Sequence, residues 1–178
     1  MIGCKLQAAV RLASLAVFVL MGGCASEAPA PPAEPSMYRD LAQAGAEIDP
    51  AVAAAMLSGY RANNGLGAVI VDPDLMRLAD AQARAMANRD KLDHNVIRAF
   101  GDRLKAAGYN ASAAAENIGA GYHTLAEAFS GWRDSPPHRQ NMLLAPATRI
   151  GIAAAYAPTS KSRVYWALIL AAPADGRG

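Results

Sequence analysis

The apolar residues of this 178-residue chain change their repeat partway along, and that change restricts the fold more than any other feature. Through the first part they recur at helical spacing: Leu75, Leu78, Ala79, Ala85 and Met86 fall on one stripe. Later, residues 149–156 (RIGIAAAY) and 163–171 (RVYWALILA) form runs rich in β-formers around a turn-like stretch, 157–162 (APTSKS). These read as an antiparallel hairpin. Helices first and strands last predict an α+β fold rather than alternating βαβ units.

Local punctuation places the helices. Asp49-Pro50 reads as an N-cap followed by a first-turn proline, and Asn63-Asn64-Gly65 stops that helix. Residues 66–71 form a short extended run. Asp72-Pro73 opens a second helix that ends near Asp90, and a third covers 97–107 with Gly108 as its C-cap. Thr124-Leu125-Ala126-Glu127 is a capping-box pattern, which predicts a fourth helix over 124–134. Ser135-Pro136 opens a further short turn, with the Ser135 hydroxyl committed to the backbone as a cap.

The N-terminal end has the layout of an export signal. Lys5 and Arg11 precede an uncharged run, 12–23 (LASLAVFVLMGG), that is shorter than the roughly 20 residues a membrane-spanning helix needs. Cys24 stands where the apolar run ends. Met21-Gly22-Gly23-Cys24 resembles a lipobox, which implies cleavage after residue 23 and lipidation of Cys24. Residues 25–36 (ASEAPAPPAEPS) hold four prolines, which favours an extended spacer. The chain thus divides into a signal segment (1–23), a lipidated cysteine with its tether (24–47), and one folded domain (48–174). Loss of residues 1–23 leaves 15 basic against 15 acidic residues, a balance without the basic excess of nucleic-acid binders. It also leaves a single cysteine, so the domain is held by its core and not by an internal disulfide.

Three clusters carry chemistry: Asp93-His94, Glu116-Asn117, and Trp132-x-x-Ser135-x-x-His138. Two imidazoles and a carboxylate that converge can hold Zn²⁺ with an open water position, or form a hydrogen-bonded acid/base pair. The equal intervals of 22 residues between His94, Glu116 and His138 are no local metal signature of the HExxH kind. Glu116 can equally accept hydrogen bonds that serve the fold, from backbone amides or from His138. Asn117 reads as a turn-former, Trp132 as core or cleft wall, His123 as a solvated loop residue, and Arg139 and Asn141 as ties between loops. Ser135 and His138 invite a serine-hydrolase reading, but no G-x-S-x-G elbow is present.

Several motifs together resemble the bacterial branch of the CAP superfamily (SCP, or cysteine-rich secretory, antigen 5 and pathogenesis-related 1 proteins). They are Leu78-Ala79-Asp80-x-Gln82-Ala83, Leu92-Asp93-His94, Arg103-x-x-x-Ala107-Gly108-Tyr109, Ala115-Glu116-Asn117-Ile118, and Gly131-Trp132-Arg133-Asp134-Ser135-Pro136-Pro137-His138-Arg139-x-Asn141-Met142-Leu143. Gly151-Ile152-Ala153 and the Tyr165-Trp166 strand close the pattern. The resemblance implies a three-layer α-β-α sandwich with a mainly antiparallel sheet, and a shallow cleft lined by His94, Glu116, Ser135 and His138. His94, Glu116 and His138 are its metal-ligand candidates, with Zn²⁺ as the ion. Ser135 stands where eukaryotic members carry a second Glu. With Glu116 consumed as a ligand no spare acidic base is evident, so the expected function is an envelope-anchored binding or interaction module whose ligand is a lipid, a glycan or a protein. The alternatives are a metal-dependent hydrolase of envelope material and a lipid- or sterol-binding protein. The membrane partner is reached through Cys24, on the outer membrane facing the periplasm in a Gram-negative cell.

Overall fold

The computed structural model describes residues 34–174. The signal segment, Cys24 and most of the proline-rich stretch lie outside the described residues. The elements run α1 (Pro50–Ala62), β1 (Ile70–Val71), α2 (Pro73–Arg89), α3 (Phe100–Ala106), β2 (Ala111–Ala120), α4 (Leu125–Asp134), α5 (Pro136–Met142), β3 (Arg149–Tyr156) and β4 (Val164–Pro173). One four-stranded sheet has the order β1-β3-β4-β2. The β3–β4 hairpin and the β2–β4 pair are antiparallel, and the short β1 joins β3 in parallel.

Helix starts follow the local chemistry. The Asp49 carboxylate accepts from the amides of Ala51 and Val52, and Asp72 accepts from Asp74 and Leu75. Thr124 and Glu127 complete the capping box. Gly108, at φ +67°, lets Tyr109 N reach back to the carbonyl of Leu104 and closes α3.

The strand β4 divides the interior. Its residues alternate between faces. Val164, Trp166, Leu168 and Leu170 join one core with Leu57 of α1, and with Leu125 and Trp132 of α4. Tyr165, Ala167, Ile169 and Ala171 join the other, with Leu75, Ala79, Ala83 and Met86 of α2 and Leu104 of α3. The sandwich therefore has α1, α4 and α5 on one side of the sheet and α2 and α3 on the other. Each buried leucine or isoleucine contributes about 1.5–3 kcal/mol.

Two features fix the layers at close range. At Gly151 a Cβ would fall 2.1 Å from the backbone carbonyl carbon of Leu75, so α2 lies directly against β3. Arg61 is fully buried, and its guanidinium donates to the carbonyls of Gly67, Met142, Leu144, Ala145 and Ala147. It therefore ties the end of α5 and the loop after it to α1, and satisfies a buried charge with peptide dipoles.

Four local expectations are corrected. Residues 111–120 form a strand, β2, that periodicity did not indicate. The third helix begins at Phe100 and not at residue 97. Ser135-Pro136 opens a two-turn helix, α5, rather than a turn. Packing starts ahead of Asp49: Leu41 and Ala42 are buried against the α1 side, and Leu41 N donates to the carbonyl of His123. Among the described residues no helix is long and apolar enough to cross a membrane.

Candidate functional site

The candidate residues gather where β2 forms one edge of the sheet. Glu116 and Asn117 are consecutive in β2, so their side chains leave opposite faces. Glu116 points to the α3 side. There it accepts from Arg103 Nη2 at 2.7 Å and from His94 Nδ1 at 2.8 Å. Arg103 and Glu116 are almost fully buried, while the His94 side chain is 49% exposed. Because a carboxylate oxygen can only accept, His94 presents its Nδ1–H to Glu116, while about half of its side chain stays exposed.

The loop bearing His94 is pinned from beneath. Gln82 Nε2 donates to the carbonyls of Asp93 and His94, and Arg103 Nη2 also reaches the His94 carbonyl. Asp93 caps the turn through Asn95 N. Its carboxyl lies below the usual range, chiefly through the side-chain contact with Lys91 and then through the Asn95 amide.

On the other face, Asn117 Nδ2 donates to the carbonyl of His138 and Asn117 Oδ1 accepts from Asn141 Nδ2. Asn141 Nδ2 also reaches the carbonyl of Glu116. Asn117 is thus a buried clamp between β2 and α5, where the sequence suggested a turn-former. Asn141 does tie segments together. Trp132 is core, 1% exposed, and its Nε1 donates to the carbonyl of Ile118. The amide of His123 is held by Glu127 at the capping box.

Ser135 makes no capping bond to the backbone, contrary to expectation. Pro137 has no N–H to offer. The Ser135 hydroxyl lies 2.9 Å from His138 Nδ1. The pKa of His138 is lowered, first by burial and then by the neighbouring charge of His94. At neutral pH His138 is therefore uncharged.

This geometry bears on the chemical options. Among the described residues no carboxylate hydrogen-bonds His138, so Ser135 and His138 form a pair and not a triad; Glu116 serves His94 instead. A zinc centre built from His94, Glu116 and His138 does not fit either. Both oxygens of Glu116 are occupied, a guanidinium already neutralises its charge, and no three His, Cys, Asp or Glu side chains converge among the described residues. The sequence placed Arg103 and Gln82 within motifs but assigned them no role. The one signal that pointed to them is general: a carboxylate in a small domain's interior requires a cationic or amide partner.

Comparison with known proteins agrees with the fold and the motifs. The family model for the cysteine-rich secretory protein family, CAP, matches residues 55–170. A curated relative, uncharacterized protein YkwD of Bacillus subtilis (strain 168), is 30% identical over 100 residues; the match covers 54% of this chain and 38% of that protein, well under half its length. Among solved structures, an extracellular SCP-domain protein from Bacillus anthracis superposes with TM-score 0.59 at 20% identity, covering 67% of this chain and 39% of that one. An outer surface protein from Borrelia burgdorferi gives TM-score 0.61 at 16% identity, covering 72% and 98%. With the family model spanning most of the folded domain and the sheet and helices arranged as in these structures, this chain belongs to the CAP, or cysteine-rich secretory protein, family.

Proposed function

We propose that this chain is a binding module of the cell envelope, exported and tethered by a lipid on Cys24. Its cleft engages a ligand through the imidazoles of His94 and His138 rather than by metal-assisted hydrolysis. In a Gram-negative cell the expected site is the outer membrane, facing the periplasm. Names of similar proteins support export: one is described as extracellular and another as an outer surface protein.

The observation that carries the reading is the state of Glu116. A hydrolytic base must be free to take a proton. Glu116 is instead buried against Arg103 and spent on orienting His94. What remains for a ligand is a pair of imidazole nitrogens in a shallow cleft. The loop that carries His94 also exposes Leu92 and Ile97. A ligand with a hydrogen-bonding group and an apolar part fits this better than a purely polar glycan, and so favours a lipid among the lipid, glycan and protein classes.

The test uses the purified protein, His94→Ala and His138→Ala. Binding is measured to phosphatidylglycerol vesicles and to peptidoglycan fragments, alongside calorimetric titration with Zn²⁺ and hydrolysis of chromogenic esters. The expected result is saturable vesicle binding that weakens about tenfold in either variant, without zinc-dependent turnover. Stoichiometric zinc uptake and turnover that are both lost in Glu116→Gln would overturn the proposal and establish a metal-dependent hydrolase.

A further inference from the structure

The two sides of the sheet are finished differently. Along β2, side chains cap the outward carbonyls: Asn141 donates to Glu116 O at 3.2 Å and Trp132 to Ile118 O at 3.1 Å. Along β3, the partner strand β1 pairs only with Arg149 and Ile150. The direction of the remaining peptide groups follows from their neighbours. Asp72 N donates to Ile150 O on the β1 side, and Ala157 N donates to Arg163 O on the β4 side. Even-numbered residues of β3 thus turn their N–H and C=O away from β4. The amide of Ile152 is taken by Met76 Sδ at 3.3 Å. The peptide groups of Ala154 and Tyr156 have no strand beside them, and no backbone partner among the described residues.

This open edge lies along a groove of about 590 Å³. One wall is α2, with Met76, Asp80 and Arg84; the other is the segment ahead of α1, with Ala46 and Ile48. The volume falls within the roughly 300–1,000 Å³ of ligand sites. The floor spans residues 152–156, about 13 Å of strand at 3.3 Å per residue.

We propose that the groove accepts an extended peptide segment of another protein, which adds to the sheet as a further strand beside β3. Unpaired strand amides and carbonyls specify backbone as their partner, the mode known as β-augmentation. Other occupants fit less well. In a second copy, β3 would lie between the same two walls, so two such edges cannot meet. Residues 25–36 carry four prolines, which lack the N–H a ladder needs. The chain after β4 leaves from the β2 side, where Ala174 N donates to Asn110 O. The walls also set the side-chain pattern of the guest. Toward α2 it meets the Asp80–Arg84 ion pair, held at 2.7 Å; toward the other wall it meets Ala46 and Ile48. A strand alternating polar and apolar residues satisfies both.

The probe is a capped heptapeptide of alternating threonine and valine, added to the purified protein, with backbone amide exchange read residue by residue. The amides of Ala154 and Tyr156 should slow about tenfold or more at saturation, while those of Gly151 and Ala153, already in the β4 ladder, should not change. Ala154→Pro removes one outward donor at a site where an edge tolerates proline, and should weaken binding about tenfold. Should that variant fail to fold, Asn88→Trp, an exposed substitution at the groove mouth, gives the same readout by filling it. No protection at Ala154 and Tyr156 at up to about 1 mM peptide, or binding unchanged in both variants, would overturn the proposal.

Discussion

Glu116 and Asn117 stand back to back in β2: one carboxylate holds Arg103 and His94 on the α3 side, and the next residue's amide holds the His138 carbonyl on the α5 side. The two histidines are thus held from opposite faces of the sheet, each by its own residue in a single strand.

The buried ion pair makes Arg103 sensitive to substitution. Arg103→Met strands the Glu116 charge and should cost about 3–5 kcal/mol, read as a fall in denaturant midpoint at constant slope. Arg103→Met with Glu116→Gln should recover part of that loss. A double variant no more stable than Arg103→Met would show that the pair is not coupled.

Acid should weaken the protein through His138. Its pKa is lowered in the fold, so the folded state resists the proton that the unfolded chain accepts near pH 6.5. The stability tied to this imidazole is fully present above about pH 6.5 and is lost as pH falls through the lower folded value. Unfolding midpoints at pH 7.5 and pH 5 should differ less in His138→Gln than in the wild type. An equal difference would assign the acid sensitivity elsewhere.

Trp132→Ala removes a ring that packs edge-on against Trp166, with centroids 6.2 Å apart, and frees the Ile118 carbonyl. A loss of about 3–5 kcal/mol is expected in chemical denaturation. Trp132→Phe keeps much of the bulk and should recover most of it. A loss below about 1 kcal/mol for the alanine variant would mean that the ring is not packed in solution.

The anchor is tested at Cys24. Globomycin should make the wild-type precursor accumulate, and Cys24→Ser should abolish lipid attachment. Mass spectrometry that finds an unmodified mature N-terminus in wild-type cells would remove the lipid tether.

Features set by near neighbours along the chain are legible in the sequence. Asp49, Asp72 and Thr124 announce their helices because a cap is a bond across two or three residues. The β3–β4 hairpin is visible because both strands are built from β-formers. The strand β2 is hidden: Ala113, Ala114 and Ala115 are small and carry no pattern, and the segment becomes a strand by pairing with β4. The motif around Glu116 locates the site but not its chemistry. The choice of Arg103 as the partner of Glu116 is a tertiary contact, and the release of the Ser135 hydroxyl to His138 depends on α5 forming where only a turn was expected.

The contact between Gly151 and the backbone of Leu75 leaves position 151 an alphabet of one letter. Even a methyl group there would act as a wedge between helix and sheet, and its effect would spread along the whole length of α2 to the loop that presents His94. A randomised library screened only for folded protein would therefore report a residue that touches neither histidine as one of the least negotiable in the chain.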